Sequence, residues 1–547
     1  MQFTSLSQCR WTIIRLCSFV VALTAATSAA VAGNLKLSTM FADHAVLQCG
    51  MPVPVWGWAK PGATVKVRFA GQSVRTIAKP DGDWAIKLAP LAVDDDPQIM
   101  TVSSGSQHIK LTDILVGEVW LCSGQSNMQY NMAGWFHRTN LLPLLKRANH
   151  PHIRLYHVPM IAQNFSGSPK KNAPATWQLC TPKNVAGFSA VGYLFGRELH
   201  NKLHVPVGLI ESDWGGTHIE AWTPASGFAS LPALKRTRQW LTTEMAHQRT
   251  LDNAYHDALN RWIKAAAGTK TQGHALPKKP AAPIDLIAAP HAYNYHIPPK
   301  DWQPDPHQNP TTLFNGMIAP LIPYAIRGAI WYQGENNVGS HDTHYFENLE
   351  ALVDSWRSLW HEGNFPFYIV QIAPFNYGRD ARWEPYIWRG EEQAAMQLPN
   401  SGIASTMDIG NTHNIHPADK LDVARRLALI ALAKTYARRR LIYSGPVFKY
   451  VRFAKGRAII SFAHVDGGLA SRNDKALNWF EIAGANGKFV SAQAKISGRG
   501  VVVASPDVLH PKFVRFAWSD VAVPNLMNKA GLPALPFNTA VVPWKQQ

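Results

Sequence analysis

Apolar and polar positions alternate with a period of two over residues 33–112. "ATVKVRFAGQSVRTI" (Ala63–Ile77) and "DWAIKLAPL" (Asp83–Leu91) show it best, and "AVLQCGMPVPVWGWA" (Ala45–Ala59) adds short apolar runs cut by Gly and Pro. Such runs read as strands, and "PDGDW" (Pro80–Trp84) reads as a hairpin turn between two of them. A small β-sandwich is expected here.

From residue 113 the period changes. Short apolar runs, "EVWLCSG", "VGLIESDWGGT", "GAIWYQGEN", "FPFYIVQIAP" and "GIASTMDIG", alternate with helix-periodic stretches: Ser189–Leu203, His344–Trp360 and "ADKLDVARRLALIALAKTYA". Strand and helix at this spacing predict a parallel sheet covered on both faces over 113–440. An insertion interrupts it at about 225–312: residues 230–265 read as helix, and 266–312, with "ALPKKPAAP", as a long loop. From 441 to 547 the pattern is β again, with strands in "RAIISFAHV", "NWFEIAG", "GRGVVVAS" and "KFVRFAW". The expected class is α/β, a doubly wound core between two β-domains.

Residues 1–32 carry Arg10 and Arg15, an apolar run, and "AVA" before Gly33. This is the pattern of a cleaved secretory leader. The alternative, a retained membrane anchor, is disfavoured because the run is short and rich in Ala and Thr. No later stretch reaches spanning length. The predicted product is exported, to the periplasm or beyond the cell.

The formal net charge of +18 falls to +16 without the two leader arginines. Acidic glycans are compatible partners. No basic block and no nucleic-acid motif accompany the charge, so nucleic acid is not expected. Three cysteines remain after the leader, Cys49, Cys122 and Cys180. That odd number excludes a fully paired framework but leaves room for one disulfide. Cys122, inside a strand, is expected to be buried and inert.

Candidate chemistry collects where strands end, since ligands of open α/β sheets bind beyond the carboxyl ends. "VWLCSGQSNMQY" (Val119–Tyr130) lifts Ser126 onto a strand-to-helix bend, although the G-x-S-x-G elbow is absent because Met128 follows Asn127. "DWGGTHIEAW" offers Gly215 and Gly216, whose backbone can approach a ligand closely. "WYQGENN" offers Gln333 and Asn336 as amide donors. "DIGNTHNIHPADK" places His416 before a helix, where a base belongs. Each stretch alone reads equally as a polar turn.

The order GQSN, GGT, WYQGE, IHP resembles the SGNH/GDSL hydrolases, most of all the sialate O-acetylesterase branch of the carbohydrate esterases. "FSAVGYLFGREL", "LFNGMIAPLIPYAIRGAIWYQGEN", "NWFEIAGANGKFV" and "NKAGLPALPFNT" share the likeness. It covers nearly the whole chain after the leader and is weakest over 225–312. It implies an SGNH-hydrolase, flavodoxin-like core and a serine esterase without cofactor or metal, acting on an acetylated carbohydrate. Ser126 is then the nucleophile and His416 the base. The Ser126 N–H, Gly215 or Gly216, and Asn336 (or Gln333 in its place) are oxyanion donors. Gln125, Asn127, Trp214, Glu335 and Arg389 are expected to bind substrate.

The third member departs from the pattern. Many relatives carry Asp three residues before the His, whereas this chain has His413. Either Asp408 folds back to orient His416, or a backbone carbonyl near Asn414 does and the pair is a dyad. The dyad is the preferred reading. Sialic acid requires a cation for its carboxylate, with Arg379, Arg382 and Arg389 as candidates. Acetylated xylan is the neutral alternative, and Trp214, Trp222, Trp383 and Trp388 are available to stack on either sugar. Two other classes compete: a metal site from His413, His416 and Asp408, with His341 and His344 repeating the spacing, and a non-catalytic carbohydrate-binding protein. The oligomeric state is not readable from the sequence.

Overall fold

The computed structural model describes residues 34–134, 141–163, 169–229, 231–272, 278–280, 306–378 and 383–541. The expected leader, Arg379, Arg382 and most of the 266–312 loop lie outside them.

Gln107–Gly124 is an 18-residue strand that organises the chain. Its first half pairs antiparallel with Asp94–Ser104, in the N-terminal sheet. Its second half pairs in parallel with Val207–Asp213 on one side and Gly328–Tyr332 on the other. The pattern follows: the exposed end alternates, while Ile114–Gly124 is continuously buried, as a strand covered on both faces must be. The expected boundary at 112/113 therefore falls inside one unbroken strand.

Across the main sheet the order is Trp177–Cys180, His150–His157, Val207–Asp213, Gln107–Gly124, Gly328–Tyr332, Phe367–Val370, Ser401–Ala404. All neighbours are parallel except Trp177–Cys180, which runs antiparallel at the edge. Leaving aside the two strands at that edge, the order is 2-1-3-4-5, the flavodoxin-like doubly wound arrangement. Successive connections leave Gln107–Gly124 toward opposite sides. The ends of Val207–Asp213, Gln107–Gly124 and Gly328–Tyr332 are level, with Asp213 and Tyr332 both opposite Gly124. That switch point is where a ligand crevice forms.

Helices cover both faces. Ala190–Leu203 starts on Ser189, whose Oγ accepts from Gly192 N at 3.0 Å. Lys420–Lys434 starts on Asp419, whose carboxylate accepts from Asp422 N at 3.0 Å. These two pack together on one face, where Trp120 meets Phe195 edge to face at 5.1 Å. Tyr345–Trp360 and Glu384–Gln397 pack on the other. There Trp331 sits edge-on to Trp222 and Trp356 at 6.2 and 6.0 Å. Trp222 and Trp388 are thus core residues: the indole N–H of Trp222 bonds Thr217 Oγ1 and that of Trp388 bonds Ile372 O. Neither is available to stack on a sugar.

The insertion helix runs Lys235–Gln272. Pro80–Trp84 does reverse the chain, with Lys79 N bonded to Asp83 O at 2.9 Å. However, the flanking strands Gln72–Ile77 and Asp83–Leu88 pair with Thr64–Phe69 and Val53–Trp58 respectively, in different sheets. The turn switches sheets and closes no hairpin. The C-terminal region is antiparallel throughout, with strands at Arg457–Ala463, Phe480–Ala483, Gly500–Ala504 and Phe513–Phe516 as expected. Cys49, Cys122 and Cys180 are all free and buried. Among the described residues no helix is long and apolar enough to cross a membrane.

Candidate active site

The turn before Ser126 is forced by Gly124. Its φ is +145°, and a Cβ there would lie 2.1 Å from Tyr332 O, so only glycine lets the neighbouring strand run this close. The chain then bends through Gln125 into the short helix Ser126–Gln129. Ser126 opens it, partly exposed, at the mouth of a cleft of about 680 Å³. Gln125, Ser126, Gln129, Met160, Trp214, Gly215, Gly216, Glu335, Asn336, Gly339, Tyr377, Ile415 and His416 line that cleft. Four strand ends that looked like separate polar turns thus converge, and Ser126 and His416 share one space.

His416 is delivered by a loop built from its own side chains. His413 N donates to Asn411 Oδ1 at 2.9 Å, and His416 N donates to Asn414 Oδ1 at 2.9 Å. Asp408 pairs with Arg426. Its two oxygens accept from Arg426 Nη1 and Nη2 at 2.6 and 2.8 Å, a bidentate pair with Arg426 buried. This fork-on-fork contact gives Asp408 a buried partner of its own, beside the expected alternative in which it orients His416. Arg472 of the C-terminal region donates to Asp408 O at 2.9 Å, bracing the same loop.

The oxyanion candidates separate. Gln333 is fully buried, donating to Thr217 O and Asn337 Oδ1 and accepting from Tyr345. It is a structural amide and does not reach the cleft. Gly215 N–H donates to Gln129 Oε1 at 2.9 Å, so a ligand there competes with a side chain. Asn336 lines the cleft, its amide engaged by His218 Nδ1 at 2.8 Å and Gln308 Oε1 at 3.2 Å. Burial lowers the pKa of His218, whose Nδ1 also lies 3.0 Å from Gln308 Oε1.

The substrate-binding candidates separate too. Trp214 lines the cleft, stacked on His307 at 4.5 Å and 7°. Gln125 is buried, its Oε1 accepting from the N–H of Gly334 and of Asn336 at 3.3 Å each, which ties the Ser126 turn to its neighbour. Asn127 is wholly buried, so its expected contact with substrate is corrected. Its Nδ2 donates to Glu335 Oε1 at 2.5 Å and Ile415 O at 2.9 Å, and its Oδ1 accepts from Lys420 at 2.5 Å. Glu335 reaches the cleft edge but spends Oε1 on Asn127, and burial raises its pKa. Arg389 lies among Glu347, Tyr386 and Glu392, outside the cleft lining. Trp383 stacks on His341 at 4.6 Å.

Several residues had no sequence signal. His307 and Gln308 follow an aperiodic stretch, yet Gln308 bonds Gly216 O and helps to hold Asn336. Tyr377 and Met160 lie in loops without periodicity. Lys420 opens its helix, where a polar residue carries no signal of its own. Among the described residues, no group of three or more His, Cys, Asp or Glu side chains gathers as metal ligands would.

Comparison with known proteins decides the family. The model of the carbohydrate esterases described as sialic acid-specific acetylesterases matches residues 116–273 and 273–435, more than half of the chain. The chain belongs to that family. It is a carboxylic ester hydrolase. Rat sialate O-acetylesterase is 28% identical over 442 residues, 75% of each chain. The human sialate O-acetylesterase is 26% identical over 524 residues, 88% of each. A carbohydrate acetylesterase from Xanthomonas citri, known by crystal structure, is 31% identical with a TM-score of 0.74. That match covers 92% of this chain and 99% of the other. The matched ranges include both Ser126 and His416.

Proposed function

We propose that the protein is an exported serine esterase that removes O-acetyl groups from sugars, with sialic acids as the substrates the family favours. The observation that carries this reading is the meeting of Ser126 and His416 in one cleft at the switch point of the sheet. The leader pattern of residues 1–32 supports export. The flanking regions, 33–112 and 441–547, are read as β-sandwich domains that brace the core.

Ser126 Oγ attacks the acetyl carbonyl carbon while its proton passes to His416. The oxyanion is held by the Ser126 N–H, a Gly216 or Gly215 N–H, and the Asn336 amide once substrate displaces the present partners. The ester C–O bond breaks, and the sugar oxygen takes the proton from His416. Water then attacks the acetyl-serine, giving its proton to His416. Acetate leaves, and Ser126 recovers its proton. With Asp408 engaged by Arg426, the pair is read as a Ser–His dyad.

A neutral acetylated sugar such as acetylated xylan is the second reading. The stacked Trp214–His307 wall and the amide-rich lining favour it, because aromatic faces and amides suit uncharged sugar rings. The test is acetate release from O-acetylated sialic acid and from acetylated xylan, with a chelator present, wild type beside Ser126→Ala. Chelator-resistant activity that falls by about 10⁴-fold or more in the variant supports the reading. Equal activity in both would overturn it, and the preferred substrate chooses between the two sugars.

A further inference from the structure

Lys420 has no exposed surface. Fully buried lysines are rare unless paired. This one lies four residues after His416, as the first residue of its helix. Its Nζ donates to Asn127 Oδ1 and sits 4.9 and 5.3 Å from the ring centroids of Tyr130 and Tyr332. No proton transfer in the mechanism needs it.

Its effect falls on Asn127. A carboxamide can flip by 180°, exchanging its acceptor and its donors. Lysine is a donor only and has no lone pair to receive a hydrogen when charged. In its charged form Lys420 therefore requires the oxygen of Asn127 on its side. The Asn127 NH₂ must then face Glu335 Oε1 and Ile415 O, as observed. Ile415 immediately precedes His416, and Asn127 immediately follows Ser126. One amide in one orientation thus ties the nucleophile turn to the base loop.

The charges around Lys420 come from several elements. Glu335 faces it from the helix after Gly334, and Asp419 precedes it in its own chain. Tyr130 and Tyr332 offer ring faces, and Glu391 and Glu384 lie behind Tyr332. Burial pushes Lys420 down to about 7, opposed by Glu335 and Asp419.

We propose that Lys420 is a positioning residue: by fixing the orientation of Asn127, it sets the His416 loop against Ser126. This rests on the reading of Ser126 and His416 as the catalytic pair. It assigns Lys420 a role in turnover without contact with substrate.

The test uses protein produced from the full-length chain, with p-nitrophenyl acetate as substrate and diethyl p-nitrophenyl phosphate as a label for the nucleophile. Lys420→Met keeps the bulk and deletes the donor. It is expected to lower kcat about 10- to 100-fold per folded molecule, with KM within about twofold, because small misplacements of reacting groups cost on that order. The labelling rate of Ser126 falls in parallel. Asn127→Asp keeps a partner for Lys420 but deletes the donor to Ile415 O. It is expected to show the same split, so the question stays answerable if Lys420→Met does not fold. A folded variant of either kind with kcat within about twofold of wild type would overturn the proposal. So would a loss that vanishes on normalising to folded protein, the mark of a purely structural lysine. Ser126→Ala runs beside them: activity surviving there would refute the catalytic pair itself, a separate failure.

Discussion

Replacing Asp408 by Asn separates two roles for one carboxylate. The side chain keeps its shape and loses its charge, and one of its two contacts with Arg426 becomes a donor facing a donor. Arg426 is 3% exposed and Asp408 11%, so water cannot replace what is lost. Breaking a buried pair from one side costs about 3–5 kcal/mol, a large share of the 5–15 kcal/mol that typically stabilises a folded domain. Because the one remaining oxygen of the Asn side chain can still accept from Arg426, we place the loss at the lower end, about 3 kcal/mol. The catalytic expectation is the opposite. In a Ser–His–Asp triad the same substitution drops kcat about 10⁴-fold by spoiling the tautomer of the base. Here, kcat per folded molecule should stay within about threefold of wild type, under 1 kcal/mol of barrier. The assay pairs urea unfolding, followed by fluorescence, with acetate release at a temperature where the variant is folded. Adding Arg426→Met to Asp408→Asn should recover most of the stability, since removing both partners of a buried pair is often neutral. An Asp408→Asn protein with unchanged stability and a thousandfold loss of kcat would refute the assignment of Asp408 to Arg426 and restore it to His416.

Gly124→Ala should fail to accumulate as folded protein or lose more than about 3 kcal/mol, because its Cβ meets Tyr332 O at 2.1 Å; soluble yield and a urea midpoint check it. Trp214→Ala should raise KM for acetylated sugars about tenfold while leaving kcat for p-nitrophenyl acetate nearly unchanged, because a stacking wall binds ground and transition states alike; paired kinetics on the two substrates would expose a larger role. A third expectation concerns pH. Burial, and then the charge of Glu220, push Asp342 up to about 7. The native state thus keeps a proton that the unfolded chain releases near its usual value of about 3.9. That contribution is present below about pH 4 and is lost as pH rises through 7. Glu220→Gln removes the opposing charge, so its urea midpoint should fall less than that of wild type between pH 4.5 and 7.5; identical slopes would count against the Glu220–Asp342 coupling.

The strand ends were legible because their chemistry is local. An apolar run that stops at Gly among amides marks a turn, and Gly124 and Gly334 both obey it. The strand His150–His157 was not legible, since Pro151 and flanking histidines break its alternation. The sheet-switching turn at Pro80–Trp84 shows the same limit from the other side: turn residues fix a reversal, while partners are chosen by packing far along the chain.

Within the site, residue type did not reveal direction. Asn127 and Glu335 stand in the motifs beside Ser126 and Asn336, and motif proximity suggested contact with substrate. The pleat and the helix starts decide otherwise: neighbours in sequence point to opposite sides, one into the cleft and one into its wall. Asn127 faces the wall, where Lys420 arrives from 293 residues away. Asp408 and Arg426 are separated by 18 residues and meet because a strand end and a helix run back to back. Such pairs leave no periodic trace. They are also what a histidine proposed as a loop-borne base needs, since a loop has no ladder of its own and must borrow rigidity from side chains. The His416 loop borrows it from Asn414, Arg426, Arg472 and Asn127, so its accuracy depends on buried polar contacts rather than on secondary structure. Substitutions in this shell should therefore damage turnover before they damage binding, whereas changes in the Trp214 wall should do the reverse.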